Sequence, residues 1–200
     1  MIKKCLLICG VVLLSGCVRL QTPVASKTFE VQNIFSRQVK LSKINNWKIH
    51  GAFSIAQTGQ QPEIANYVWN QVNSENYRIE ISSALNLYSV VIVCRSGLVS
   101  LLKNGSQRFS AKTPEKLMEK ALGWSLPISE LDNWIKGMPA DGKYKAKYDV
   151  YGHLILLKQM GWTVQYGSYK ANKNVDLPQM ITLQRTGLFV KIVTNQFDRA

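Results

Sequence analysis

Cys17 is the residue whose type and surroundings point most directly to chemistry. It ends the tetrapeptide Leu14-Ser15-Gly16-Cys17, which follows lysines at positions 3 and 4 and a largely apolar run over residues 5–14. That run is too short to cross a bilayer as a helix, and a positive segment before a short apolar run is typical of a secretory signal. Small residues before a cysteine match the bacterial lipobox, in which the thiol takes diacylglycerol and the amine, freed by cleavage, takes a further acyl chain. The alternative is an ordinary signal peptide with a chance cysteine at its cleavage site.

This signal predicts how the chain is divided. We expect a signal peptide over residues 1–16, a lipidated tether over 17–28 and one folded domain over 29–200, because cleavage leaves 184 residues. Besides the acylated cysteine only Cys94 then remains, so a disulfide framework is excluded. Cys94 ends an apolar strand pattern and is interpreted as a small buried hydrophobic residue.

Other residues that could carry chemistry are few. The two histidines, His50 and His153, fall in predicted strands, and a metal site or catalytic triad would need more partners than the sequence supplies. Each is interpreted as a half-exposed strand residue. The twelve acidic residues are scattered, and neither a G-x-S-x-G elbow nor a phosphate-binding loop occurs. We therefore predict no catalytic residue, no metal, no cofactor and no enzymatic activity.

The net charge is strongly basic, +13 for the whole chain and +11 once Lys3 and Lys4 are removed with the signal. A basic protein favours anionic partners, namely nucleic acid, an anionic lipid surface or an acidic protein. The export signal and the lack of any nucleic-acid motif argue against the first. A membrane or protein partner and a merely solubilising surface remain open as explanations.

Hydrophobic periodicity predicts the elements that position these residues. Apolar positions over residues 29–44 have roughly helical spacing and indicate an amphipathic helix. From Trp47 the period changes to two, and Asn104-Gly105 is a strong hairpin signal. Breaks rich in Gly, Asn and Ser divide this region into hairpins, with strands over 47–55, 65–69, 77–81, 87–94, 98–102 and 107–111.

A helical insert follows, and then the strand pattern returns. Thr113 and Pro114 are typical of a helix start, with an end at Gly123, and a second helix is expected over 129–135, before Gly137. The remaining strands are predicted over 143–150, 153–159, 162–169, 180–184 and 188–194. About eleven strands must curl to hide their edges, which predicts an incomplete, strongly curved antiparallel β-barrel with the helices as a lid over an apolar cavity.

Several segments, in this order along the chain, resemble the LolB family of outer-membrane lipoprotein receptors. The most specific is the L-P-x3-L-x2-W-x2-G-x-P pattern over residues 126–139. Weaker matches are Gly51-Ala52-Phe53, Tyr67-Val68-Trp69, Asn76-Tyr77-Arg78, Gly161-Trp162-Thr163-Val164-Gln165-Tyr166 and Leu177-Pro178. The resemblance implies an incomplete eleven-stranded barrel, a helical lid and an apolar cavity for acyl chains. It also implies a soluble periplasmic donor, the similarly folded carrier LolA, and acylated lipoproteins as clients.

Two segments depart from the family pattern. Asn195-Gln196-Phe197 stands where the family has Asn-Trp, which keeps an aromatic ring. The family also places an exposed leucine between a proline and a glycine, after the third strand, and here the match is Ala84-Leu85-Asn86. The resemblance thus implies that Leu85 inserts into the membrane. The alternative is that Leu85 continues the buried face of that strand, since it shares parity with Ile79 and Ile81.

The resemblance implies transfer by binding, without nucleotide hydrolysis. Candidate residues for the acyl-chain cavity are the inward-facing aromatic and aliphatic positions Trp69, Tyr77, Ile79, Ile81, Trp162 and Tyr166, with Trp134 from the lid. An ordinary closed core is the alternative for each of them. Because Val18 follows the cysteine, where an Asp would resemble an inner-membrane retention signal, we expect anchoring in the outer membrane, facing the periplasm, as a monomer. A lipocalin-like binder of a small apolar ligand and a structural envelope tether are the rival functions.

Overall fold

The computed structural model of the protein describes residues 29–83 and 88–199. The predicted signal peptide, Cys17, the tether and Leu85 lie outside these residues. Within the two described ranges, no helix is both long and apolar enough to cross a membrane.

Three helices and thirteen strands make up the described chain. The helices are α1 (Ile34–Ser42), α2 (Pro114–Leu122) and α3 (Ile128–Trp134). The strands before the helical insert are β1 (Trp47–Gln57), β2 (Glu63–Asn73), β3 (Asn76–Ser83), β4 (Ser89–Arg95), β5 (Leu98–Lys103) and β6 (Gln107–Ala111). Those after it are β7 (Tyr144–Tyr148), β8 (Leu154–Gln159), β9 (Trp162–Tyr166), β10 (Tyr169–Asn172), β11 (Val175–Pro178), β12 (Met180–Arg185) and β13 (Leu188–Arg199).

Eleven of the strands form one antiparallel sheet in the order β6-β5-β4-β3-β2-β1-β13-β12-β9-β8-β7. The first and last strands are paired at its centre, from Trp47 opposite Arg199 to Gln57 opposite Leu188. In the described chain β6 and β7 are edges and do not pair with each other, so the sheet stays open. The predicted incomplete barrel with helices is confirmed.

Side-chain alternation along the strands decides which face is buried. In β1 the odd-numbered residues from Trp47 to Ile55 are buried and the residues between them are exposed or half-buried. This period-two pattern puts one face of the sheet against α2 and α3 and leaves the other in solvent. α2 turns Leu117 and Met118 inward, and α3 turns Leu131 and Trp134.

The first lid helix, α2, begins and ends where local chemistry predicts. The Thr113 side chain accepts a hydrogen bond from the Lys116 N–H (3.3 Å), and Pro114 occupies the first turn of α2. α2 ends at Gly123, whose positive φ of 76° a residue with a Cβ would adopt only with strain.

Besides β2 and β13, which are longer than predicted, two elements differ from the prediction. α1 begins at Ile34 because the Asn33 side chain caps it, accepting from the N–H groups of Phe35 (2.9 Å) and Ser36 (3.3 Å). The expected strand over 162–169 ends at Tyr166, and residues 169–178 form a separate hairpin, β10–β11. This hairpin turns through Lys173, which has a positive φ of 54°. Its strands are too short to show the alternation of apolar and polar residues from which the other strands were predicted.

The antiparallel order places the connections at two opposite ends of the strands. The β1–β2, β3–β4, β5–β6, β8–β9 and β12–β13 connections lie at one end, here called the loop end. The β2–β3, β4–β5 and β7–β8 connections lie at the other, here called the helix end, because α1 leads there into the start of β1. Gln32, just before α1, donates its N–H to the Tyr151 carbonyl in the β7–β8 connection (3.4 Å).

Candidate apolar cavity

An apolar cavity lies between the inner face of the sheet and the lid. The sheet contributes aromatic and aliphatic side chains of β1, β2, β3 and β13: Phe53, Tyr67, Trp69, Ile79, Ile81 and Ile192. The lid contributes aliphatic side chains of α2, α3 and the segments beside them: Met118, Leu126, Ile128, Leu131 and Ile135. No charged side chain lines it, so the described residues offer an apolar ligand a wholly apolar surface.

The cavity is nearly full in this conformation. Its volume is about 30 Å³, the share of one water molecule in the liquid. An acyl chain cannot enter that space, since the lid side chains already occupy the inside of the barrel. Any long apolar ligand therefore has to displace the lid. The ligand would then make the apolar contacts with the sheet that the lid makes in this conformation.

Tyr67 in the cavity lining and Tyr166 in the closed core carry no charge at neutral pH. Burial raises the pKa of Tyr67 to about 12, and its hydroxyl shares a hydrogen bond with the Thr194 hydroxyl (3.1 Å). Burial also raises the pKa of Tyr166 well above its usual value. Acid–base chemistry at these phenols is therefore disfavoured, and their rings act as apolar surface.

The structure brings only some of the predicted cavity residues together. Trp69, Ile79 and Ile81 line the cavity. Tyr77 packs against Trp69 with ring centroids 6.2 Å apart, but it faces a neighbouring cleft of about 230 Å³ beside α2 and α3.

The other three predicted residues are buried outside the lining. Trp134 and Tyr166 belong to the closed core, and Trp162 borders an outer groove beside α2. Sequence analysis missed Phe53 and Tyr67, although they share the inward parity of Trp47 and Trp69 on their strands. It also missed the aliphatic lid residues, because helical spacing alone does not tell which side of a lid faces a cavity.

Gln159 fastens the end of the lid to β8. Its side-chain carbonyl accepts from the Trp134 indole N–H (2.9 Å) and the Ala140 N–H (3.0 Å), and its amide donates to the Ala140 carbonyl (2.8 Å). Lys136 makes a second attachment, donating to the Ile44 carbonyl (3.2 Å) and pairing with Asp132 (3.2 Å). The lid is thus held by polar contacts at its C-terminal side and by apolar contacts over the cavity.

The prediction for His153 is wrong. The residue is only 1% exposed and lies in the β7–β8 connection, not on a half-exposed strand. Its Nδ1 lies 3.1 Å from an Asp149 carboxylate oxygen and its Nε2 3.1 Å from an Asp176 carboxylate oxygen. The ring stacks on Tyr169 with centroids 4.2 Å apart. His50, by contrast, is half-buried on β1, as expected.

Arg37 of α1 completes this buried cluster. Its guanidinium donates to the Asp176 carbonyl and lies 3.9 Å from the Asp176 carboxylate. Burial lowers the pKa of Arg37, and the nearby Tyr169 and Asp176 oppose that shift. Over residues 29–83 and 88–199, no group of three or more His, Cys, Asp or Glu side chains is arranged to hold a metal ion. Through its ion pairs and hydrogen bonds, the cluster joins α1 to the β7–β8 connection and β11.

The segment that carries Leu85 joins the ends of β3 and β4. β3 ends at Ser83 and β4 begins at Ser89, and the backbone N–H of Ser83 donates to the Tyr88 carbonyl (3.2 Å). On the neighbouring strand, Ala65 pairs with Ser83 and the preceding residue, Ile64, is 62% exposed. The loop end thus presents an exposed aliphatic side chain beside this connection.

Comparison with known proteins points to one family. The family model described as "Outer membrane lipoprotein LolB" matches residues 45–197. The outer-membrane lipoprotein LolB of Coxiella burnetii (strain RSA 493) is 43% identical over 199 residues, covering 98% of this chain and 94% of that protein. The protein of the same name from Chromohalobacter salexigens is 34% identical over 189 residues, covering 94% of this chain and 86% of that protein.

Solved structures support the fold. A LolA superfamily protein from Nitrosomonas europaea superposes with a TM-score of 0.52 at 10% identity, covering 84% of this chain and 94% of that one. A DUF1329 family protein from Desulfovibrio piger gives a TM-score of 0.51 at 8% identity, covering 86% and 94%. These likenesses concern only the fold, the open barrel with its lid. The family match, by contrast, extends over most of the sequence. The chain therefore belongs to the LolB family of outer-membrane lipoproteins.

Proposed function

We propose that this protein is an outer-membrane-anchored receptor that accepts lipoproteins from a LolA-like periplasmic carrier and inserts them into the outer membrane. The observation that carries the proposal is the wholly apolar lining between sheet and lid. The client's acyl chains occupy that space after displacing α2 and α3, and no covalent chemistry or nucleotide is needed.

The N-terminal segment supplies the anchor. Residues 1–16 act as the signal peptide, Cys17 carries the acyl chains, residues 17–28 form the tether and residues 29–200 the receptor domain. Val18 directs the mature protein to the outer membrane. The receptor acts as a monomer in this proposal.

The energy of exposed acyl chains explains why a receptor is needed. A triacylated client has roughly 40 methylenes, and at about 0.8 kcal/mol each their exposure to water would cost on the order of 30 kcal/mol. Free diffusion of such a client is excluded, so the chains pass from one apolar site to the next. Each step runs toward tighter burial, and the bilayer is the final site.

Leu85 directs the open cavity toward the membrane. It falls in sequence between β3 and β4, whose connected ends lie at the loop end, as does the exposed Ile64. One leucine entering lipid contributes at most about 1.5–3 kcal/mol. That is too little to anchor the protein but enough to favour one orientation of the loop end.

Leu85→Glu separates acceptance from delivery, and the test is a two-stage assay with purified carrier and outer-membrane vesicles. A carboxylate in lipid costs several kcal/mol, so the variant should accept client from the carrier at the normal rate and fail to pass it on. Leu98→Glu is the matched control, since Leu98 is 78% exposed at the start of β5, at the helix end. It should deliver client normally.

Three results would count against these assignments. If Leu85→Glu unfolds, Leu85 is a buried strand residue. If it is stable and delivers normally, Leu85 has no part in insertion. If the unchanged protein takes no client from the carrier, the receptor function fails and a small-ligand binder or an envelope tether is favoured.

A further inference from the structure

The first helix turns apolar side chains outward. Phe35 is 73% exposed and Val39 and Ile34 are each more than one-third exposed, while Val31, just before the helix, is 76% exposed. Phe35 and Val39 are four residues apart and therefore neighbours on one face of α1. The face turned inward carries Arg37 and Leu41. Single exposed apolar residues are ordinary, but four within nine residues form a continuous outer stripe.

The charges around this stripe are basic. Lys40 in α1 and Lys43 just after it are exposed, and Glu30 is the acidic residue nearest to these two in sequence. A short helix with an apolar stripe bordered by lysines has the composition of a segment that lies in the membrane interface, where lysines meet lipid phosphates. This charge is complementary to an anionic bilayer surface.

The position of α1 in the chain brings it close to a bilayer. Twelve peptide units separate Cys17 from Phe29, and they span at most about 40 Å. α1 is the first helix after that segment. If Cys17 holds acyl chains in the membrane, α1 stays within reach of the same surface.

We propose that the outer stripe of α1 is a membrane-contact surface that binds bilayers with anionic headgroups. The inference rests on the proposed anchoring through Cys17 and adds a contact that neither the acyl chains nor Leu85 provides. The stripe lies at the helix end and the β3–β4 connection at the loop end, so the two surfaces bind lipid independently. Phe35 and Val39 enter the interface, and Lys40 and Lys43 face the phosphates.

Vesicle binding by the acyl-free mature chain, residues 17–200 with Cys17→Ala, tests the surface directly. This chain should co-sediment with vesicles containing about one-third phosphatidylglycerol and bind phosphatidylcholine vesicles less well. Phe35→Asp should weaken binding to the anionic vesicles about tenfold. Leu98→Asp, an equally exposed apolar residue outside α1, is the control and should leave binding unchanged. Lys40→Gln with Lys43→Gln should weaken binding to the anionic vesicles only.

The possible outcomes are distinct. Equal binding by the Phe35→Asp and Leu98→Asp chains overturns the proposal, as does no binding by the Cys17→Ala chain. A dimer that Phe35→Asp dissociates overturns it in favour of self-association. No client or carrier is present, so this result does not depend on the receptor function. The Phe35→Asp chain should accept client from the carrier normally. If the unchanged protein accepts no client, that result counts against the receptor function and not against the α1 surface.

Discussion

Arg37 and Asp176 show how one buried contact connects distant parts of the chain. They are 139 residues apart in sequence, yet Asp176 is the carboxylate that faces the buried guanidinium. Taking charges out of water is expensive, and the cost is offset only while the partners remain. The cluster thus holds α1 against the sheet, while the stripe of α1 points away from it.

Asp176→Asn should lower the free energy of unfolding by about 3 kcal/mol, because it leaves the Arg37 guanidinium buried without its countercharge. Chemical denaturation measures this change. Glu80→Gln is the matched control: the Arg78–Glu80 pair is about half exposed, and such pairs contribute at most about 1 kcal/mol. Equal losses in the two variants would show that the buried cluster contributes no more than a surface ion pair.

The sequence could not have revealed this cluster. The sequence pattern puts His153 at the start of a strand predicted over 153–159, and it is therefore interpreted as a half-exposed strand residue. Asp149, four residues before His153, is a local partner, but Asp176 reaches the ring only because the fold brings β11 beside the β7–β8 connection. The clearest sequence signals are the tetrapeptide that ends at Cys17 and the L-P-x3-L-x2-W-x2-G-x-P pattern over residues 126–139. Both are recognised from residues close together in the chain and not from tertiary contacts.

At the level of elements, the lid combines predictable helices with an attachment that was not predictable. Thr113, Pro114 and Gly123 set the limits of α2 through local hydrogen bonds and backbone conformation, so the sequence predicted them. The eleven strands of the sheet followed from alternation. The attachment through Gln159 joins β8 to residues 134–141, and no periodicity indicates such a contact.

Gln159→Leu should loosen the lid. The substitution keeps the side-chain volume but leaves the Trp134 N–H and both Ala140 backbone groups without partners, which should lower stability by at least about 2 kcal/mol. The open form should then be more populated, and uptake of an apolar fluorescent probe should be about tenfold faster.

Stopped-flow uptake by the acyl-free chain, with an acylated peptide as competitor, measures the effect of this substitution. Gln60→Leu, on the exposed β1–β2 turn, is the control and should change neither quantity. Lower stability with unchanged uptake would mean that Gln159 is equally bonded in the open and closed forms.

At the scale of the whole molecule, the lipid anchor and the lipid contacts of the folded domain have different roles. In the arrangement proposed above, acyl chains on Cys17 hold the protein in the membrane, whereas Leu85 and the α1 stripe make weak, reversible contacts from opposite ends of the strands. Each is comparable to or weaker than one short lipid chain, which gives only marginal binding on its own.

Cys17→Ala should therefore move the protein from the outer membrane to the soluble periplasmic fraction and abolish palmitate labelling. Fractionation with labelled palmitate measures both. Cys94→Ala is the control, because Cys94 is buried in β4 and should take no lipid. A Cys17→Ala chain that still takes label and remains on the membrane would place the lipid elsewhere.

The pairing of β1 with β13 has a consequence for biogenesis. The centre of the sheet joins Trp47 to Arg199, a sequence separation of almost the whole folded chain. Contacts of such high order form slowly, because a long loop must close before they stabilise anything. A chain emerging N-terminus first through a translocation pore cannot complete its central ladder until its last dozen residues are out. Until then β1 has β2 on one side and an unpaired edge on the other, an edge that can template aggregation. A newly exported chain is therefore most dependent on periplasmic chaperones just before its C-terminus is released.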